Sequence, residues 1–351
     1  MDQLSDYDYE LPQELIASKP ARHRADARLL VIDRQSGTWE HKKVSDLPDY
    51  LRPHDAMVLN NTRVLPARLL GKRLNTGGQW EGLFLKRNDN GTWQMLGKTK
   101  GRIQVGEVVE ITPAHRPESS ERLRLTLTEK GAAGEWTVQP ESQESYLELL
   151  EKFGTMPLPP YMRKKLATDR DFRRYQTTFA EHPGSVAAPT AGLHFTQELL
   201  TQIESRGASV CQVTLHIGIG TFRPISAELL ADHTMHSEWC ELSQPTAELL
   251  RERKTAGGRV LAVGTTSVRT LESAARQNPV KSFTGETDLF IRPPYEFQLV
   301  DMLMTNFHLP KSSLLVLVSA FAGRELILEA YRAAIREKYR FYSYGDTMLI
   351  L

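Results

Sequence analysis

Cysteine is scarce in this chain. Among 351 residues there are two, Cys211 and Cys240, and no C-x-x-C pair, which excludes a disulfide framework and a zinc knuckle. An excess of charge is also missing. Lys and Arg number 44 against 43 Asp and Glu, a net charge of +1. The molecule as a whole is therefore no electrostatic magnet for nucleic acid, and any RNA contact must come from a local basic patch. Long apolar runs are absent as well. The longest, Leu314 to Ala322, is too short to cross a bilayer. The acidic start (Asp2, Asp6, Asp8, Glu10) carries no apolar signal core, so a cytoplasmic protein with no membrane partner is expected. No G-x-x-x-x-G-K-[ST] motif occurs. Gly218-x-Gly220 lacks the third glycine of a dinucleotide fingerprint, because Arg223 stands in its place.

What is present has the composition of an ordinary folded protein, 40% hydrophobic and 25% charged. The length favours two domains. Leu29–Ile32 and Ala56–Leu59 are buried-strand runs, the second ending in Asn60-Asn61-Thr62-Arg63. Between about Val64 and Gln139 short β-like runs follow one another: 67–70, 80–86, 92–96, 108–111, 123–127 and 136–138. Turn clusters at Asn75–Gly78, Asn88–Gly91 and Gly131–Gly134 separate them, a pattern of antiparallel barrel or sandwich. An amphipathic helix over Glu144–Phe153 closes this part. Strands alternate with helices from Thr196 onward. The prediction is an α/β main domain, 1–63 with 154–351, carrying an inserted small antiparallel β-barrel domain over 64–153.

Four apolar strands end in polar loops: Asn60–Arg63, His216–Arg223, Gly264–Arg269 and Thr305–Ser313. If those strands are parallel neighbours, the loops meet in one crevice, where open α/β sheets bind ligands. Two of the loops open helices, whose free N–H groups favour anions. Arg63, Arg223, Arg269 and Lys311 add positive charge, and the hydroxyls of Thr265, Thr266 and Ser267 suit a sugar. The small-residue stretch Val186–Thr196 holds His194 between Leu193 and Phe195, with Thr196 as an N-cap. Upstream, Arg163, Lys164, Lys165, Arg170, Arg173 and Arg174 interleave with Tyr161, Phe172, Tyr175 and Phe179. That mixture fits either a solvated face or a single-stranded RNA loop. Lys98–Arg102 is a basic turn that reads as a solvated loop or a phosphate contact. His233 and His236, with Asp232 and Glu238 nearby, form a weak metal pattern without a clear third ligand.

Taken together, Val186–Thr196, His216–Pro224, Val263–Ser273, Thr305–Gly323 and Tyr339–Ile350 resemble the S-adenosylmethionine:tRNA ribosyltransferase-isomerase family of queuosine biosynthesis. Tyr7–Pro12, Asn60–Arg68 and Pro157–Tyr175 fit too, and the barrel region matches least specifically. One departure is Arg292-Pro293-Pro294-Tyr295, where the family more often has Pro-Gly before the aromatic. The resemblance implies transfer and isomerisation of the ribosyl group of S-adenosylmethionine onto 7-aminomethyl-7-deazaguanine at the tRNA wobble position. Epoxyqueuosine-tRNA, adenine and methionine are the implied products. It also implies an α/β fold with an inserted barrel, no metal, no permanently bound cofactor, and S-adenosylmethionine as co-substrate. The implied partner is tRNA with a GUN anticodon, met by a monomer. The family's proposed chemistry begins with loss of a C5′ proton made acidic by the sulfonium and with departure of adenine; the tRNA amine then adds, and ring closure expels methionine. It needs a base, a proton donor and groups that hold an open sugar. On this reading His194 and His216, with His236 and Glu238 behind them, are the candidates for proton transfer. Thr190, Arg223, Gly264, Thr265, Thr266, Arg269 and Asn306 are the candidates for holding S-adenosylmethionine, Arg223 or Arg269 taking its carboxylate. Arg163, Lys164, Lys165, Arg173, Arg174 and Lys100 are the RNA-binding candidates.

Overall fold

The structure is a computed structural model that describes residues 3–162, 166–218, 220, 225, 227–276 and 279–351. Two compact units are present. One comprises Met1–Thr62, Gln176–His182 and Ala188–Leu351, the other Arg63–Tyr175 and Pro183–Ala187.

The first unit is built on a nine-stranded mixed sheet. Its order is Phe283–Thr287, Glu238–Leu242, Ser209–Leu215, Ala56–Asn60, Val260–Val263, Met302–Asn306, Thr347–Ile350, Arg28–Asp33 and Thr38–Lys43. The run from Ser209–Leu215 to Met302–Asn306 is parallel. Thr347–Ile350 enters antiparallel to Met302–Asn306 and parallel to Arg28–Asp33. The central strands are continuous apolar runs because both faces are covered. Ala56, Val58, Val260 and Ala262 pack to one side with residues of the helices Gln244–Thr255, Thr265–Ala275, Ser313–Ala322 and Arg324–Arg336. Met57, Leu59, Leu261 and Val263 pack to the other with Leu199, Leu200 and Ile203 of helix Gln197–Ser205. Thr196 caps that helix, its hydroxyl accepting from the Leu199 N–H at 3.3 Å.

The second unit is a closed six-stranded barrel in the order Glu135–Pro140, Trp93–Thr99, Gln79–Arg87, Arg68–Arg73, Val108–Ile111, Leu123–Lys130. Inward positions alternate along each strand, and Trp80, Phe84, Trp93, Met95 and Trp136 fill the interior. Helix Tyr146–Phe153 adds Leu149, Leu150 and Phe153 to that core. Its Ser145–Glu148 capping box satisfies two N-terminal donors.

Candidate active site

The strands that precede the four polar loops are parallel neighbours, as anticipated. Their carboxyl ends lie along one sheet edge, and side-chain amides tie them together. Asn60 donates from Nδ2 to the Leu215 carbonyl and to Thr266 Oγ1, both at 3.1 Å. Its Oδ1 accepts from the N–H groups of Thr62 and Leu215. One buried amide therefore links three of the loops.

Asn306, on the fourth strand, ties in the Thr190 turn and the segment before the last strand. Its Oδ1 accepts from the Thr190 hydroxyl at 3.0 Å, and Nδ2 faces the Tyr342 and Asp346 carbonyls at 3.3 and 3.5 Å. Carbonyls only accept, so this amide orientation is fixed. The third contact of Nδ2 is His194 Nε2, at 3.3 Å. The amide nitrogen only donates, and its two protons are shared among these three acceptors. The Arg24 backbone also bonds the ring, so His194 is a buried, neutral imidazole held by Asn306 and Arg24. Burial pushes its pKa down to about 4, against a smaller opposing pull from Asp346. The 3₁₀ turn Thr190–His194 that carries it is held by Arg24, whose guanidinium donates to the Leu193 carbonyl at 2.7 Å.

His216 sits differently. It follows strand Ser209–Leu215, is half-buried, and stacks on Trp239 with ring centroids 4.9 Å apart. Nδ1 lies 2.8 Å from the Thr62 hydroxyl. Among the described residues Nε2 has no hydrogen-bond partner. Burial, and then the nearby His182, lower its pKa to about 4, so the ring is neutral near pH 7.

Glu238 and Arg269 form a buried ion pair, each about one-twentieth exposed. The Arg269 guanidinium also donates to the carbonyls of Leu289 and Thr287, at 3.1 and 3.0 Å. Glu238 Oε1 accepts from the Gly218 N–H at 2.8 Å. His236 is exposed and lies against Gly220, where a Cβ would come within 2.5 Å of the His236 side chain. His233 meets Phe290 edge-on. Among the described residues no group of three His, Cys, Asp or Glu side chains could hold a metal ion.

Gly264 opens helix Thr265–Ala275 at φ +88° and ψ 150°, a region that is almost exclusively glycine's. Thr265 and Thr266 follow at the crevice, both nearly buried. Ser267 and Thr270 return their hydroxyls to carbonyls one turn back in the chain. Lys311 pairs with Asp8 at 2.7 Å. Arg223, Arg163, Lys164 and Lys165 lie outside the described residues.

In the barrel unit, Lys100 is exposed on a turn braced from below. There the buried Arg73–Glu107 pair holds the Arg102 carbonyl and the Gln104 N–H. Arg173 and Arg174 occupy the last turn of helix Asp169–Arg174, which Thr168 caps. Of the aromatics interleaved with them, Tyr175 is fully buried and Phe172 packs edge-on to His115 at 5.1 Å. Such packing leaves the same alternation of charge and ring in a sequence as base stacking does.

Comparison with known proteins agrees with this architecture from end to end. Residues 4–350 match the family described as queuosine biosynthesis protein. A relative from Desulforamulus reducens, named S-adenosylmethionine:tRNA ribosyltransferase-isomerase, is 46% identical over 350 residues, covering 99% of this chain and 100% of its own. The crystal structure of an S-adenosylmethionine tRNA ribosyltransferase from Thermotoga maritima aligns with a TM-score of 0.56 at 35% identity, covering 99% of this chain and 100% of that one.

Proposed function

This chain belongs to the queuosine biosynthesis protein family, and from that premise we propose that it is an S-adenosylmethionine:tRNA ribosyltransferase-isomerase. It transfers and isomerises the ribosyl group of S-adenosylmethionine onto 7-aminomethyl-7-deazaguanine at the tRNA wobble position. Adenine and methionine leave, and epoxyqueuosine-tRNA is formed. The observation that carries this reading is the full-length correspondence to a relative of that name. The crevice supports it, with polar residues at four adjacent strand ends, three of them joined by Asn60 and the fourth tied by Asn306 to the Thr190 turn. S-adenosylmethionine is a substrate here, and its partner is tRNA with a GUN anticodon; the enzyme acts as a cytoplasmic monomer.

Within the crevice, His216 is the proton-transfer residue of this reading. It is neutral, oriented by Thr62 and Trp239, and has one ring nitrogen unengaged among the described residues. His194 is the weaker candidate, since Asn306 and the Arg24 backbone both hold its ring and it is buried. It serves to hold the Thr190 turn and Asn306 beside the ribose. The Gly264 turn, Thr265 and Thr266 meet the sugar, Thr265 having no hydrogen-bond partner for its hydroxyl among the described residues. Arg269 has its donors committed to Glu238 and two carbonyls, which leaves Arg223 for the methionine carboxylate. Arg173, Arg174 and Lys100, with Arg163, Lys164 and Lys165, contact the tRNA backbone.

The test is a product assay with S-adenosylmethionine and tRNA bearing the 7-aminomethyl-7-deazaguanine base. Release of adenine and methionine together, dependent on that base, is expected. S-adenosylhomocysteine in their place would mean methyl transfer and overturn the reading. tRNA binding without consumption of S-adenosylmethionine would make the protein a binding module.

A further inference from the structure

Two buried charges, paired with each other, stand next to the turn that follows His216. Arg269 lies in the second turn of the helix that starts at Gly264 and spends its guanidinium on Glu238 and the carbonyls of Thr287 and Leu289. Glu238 begins strand Glu238–Leu242 and reaches the Gly218 N–H, two residues beyond His216. The next residue of that strand, Trp239, accepts the His216 N–H at 2.9 Å and stacks beneath its ring. The backbone is thus gripped at His216 and two residues beyond it by adjacent residues of one strand.

We propose that Glu238, itself held by Arg269, is a positioning residue for His216: its hydrogen bond to Gly218 fixes the turn that seats the imidazole on Trp239 and beside Thr62. Neither member of the pair is then a proton carrier or a carboxylate anchor for S-adenosylmethionine. The assignment of His216 to proton transfer rests on the ribosyl-transfer reading above; the seating of its ring does not. A buried ion pair is weak evidence for stability, because apolar residues of similar volume often replace one without loss. Its role here is the turn it holds, and a misplacement of about 1 Å near a reacting group can cost ~100-fold in rate.

The experiment compares two uncharged pairs. Arg269→Met with Glu238→Leu removes the acceptor facing Gly218. Arg269→Met with Glu238→Gln restores an oxygen there. The first readout needs no activity. The His216 ring protons, stacked on Trp239, are expected to resonate upfield in the wild type. That shift is expected to vanish in the Leu pair and to persist in the Gln pair. The second readout is turnover. The Leu pair is expected to lose about 100-fold in kcat with KM for S-adenosylmethionine within about threefold, and the Gln pair to recover at least about tenfold of that. In a His216→Asn background the Leu pair is expected to change kcat by less than about threefold, because one lost function cannot be lost twice. An unchanged ring shift in the Leu pair overturns the proposal. So do losses that multiply with His216→Asn, and so does a tenfold rise in KM with kcat intact, which would mean direct contact with substrate. Should wild-type protein release no adenine, the ribosyl-transfer reading fails while the ring shift still decides the seating.

Discussion

His194 and His308 are buried and neutral for the same reason, yet the sequence distinguishes neither from a catalytic histidine. His308 Nε2 lies 3.0 Å from the Thr305 hydroxyl, its backbone N–H takes the Tyr331 hydroxyl, and its carbonyl accepts from Tyr9. Burial lowers its pKa to about 3, and that of His194 to about 4. In the unfolded chain both titrate near ~6.5, so below that pH the unfolded state binds more protons and stability falls as pH drops toward the folded values. Urea unfolding between pH 7.5 and 5 is expected to lose about 2 kcal/mol per buried histidine, and His308→Asn to flatten the profile by about that amount. A profile independent of pH over this window would contradict the burial argument. Glu272 is a second residue whose role is packing geometry. Its carboxylate accepts from the N–H groups of Gln298, Leu299 and Val300 and from the Tyr295 hydroxyl, in complete burial. Glu272→Ala strands those donors, and a loss of roughly 3–5 kcal/mol in denaturant unfolding is expected. A loss below about 1 kcal/mol would mean the clamp is replaceable by water.

At the scale of elements, helix Thr265–Ala275 is where sequence reasoning stops short. Val268, Leu271 and Ala275 read as an apolar face, which predicts a wet opposite side. The structure buries the whole helix, because its polar face carries Arg269, Thr270, Glu272 and Ser273 to partners on other strands and loops. No periodicity reveals such partners, since they lie elsewhere in the chain. Strands Thr38–Lys43, Glu238–Leu242 and Phe283–Thr287 also escaped the pattern reading. The first, one edge of the sheet, is exposed along nearly its whole length; Phe283–Thr287 is the other edge and Glu238–Leu242 its neighbour, and both alternate only briefly. The helix start offers a test. Gly264 and Gly323 share φ near +88°, and a Cβ at Gly323 meets nothing within 4 Å. Alanine at either position is expected to cost about 1–3 kcal/mol through backbone strain alone. Only Gly264→Ala is expected to raise KM for S-adenosylmethionine, because only it moves the turn at the crevice. Equal effects on KM would detach Gly264 from the substrate.

For the molecule as a whole, a closed barrel unit and a mixed-sheet unit share one chain. The barrel was legible from the spacing of its short strands and turn clusters, and closure leaves it without exposed strand edges. With a net charge of +1, tRNA affinity has to come from local patches and is expected to weaken steeply with salt. Lys100→Ala is expected to raise KM for tRNA, leave KM for S-adenosylmethionine unchanged, and reduce the log–log salt slope by about 0.7–0.9, one phosphate's worth. An unchanged slope would make the Lys98–Arg102 turn a solvated loop. Among the described residues no helix is long and apolar enough to cross a membrane.

The sequence by itself determined the apolar strand runs, the turns between barrel strands, the N-caps and the four polar loops, because each is encoded within a few neighbouring residues. Its motifs also carried the family resemblance. The tertiary structure decided which polar groups meet. Glu238 finds Arg269 across 31 positions, and Asn306 reaches His194 across 112. Those pairings depend on sheet order and on antiparallel strands joining at its ends, and strand order leaves no local signal. The same dependence separates a held His194 from an available His216. Their sequence surroundings are equally apolar, and only the assembled neighbours set Asn306 and the Arg24 backbone against one ring and, among the described residues, leave Nε2 of the other without a hydrogen bond.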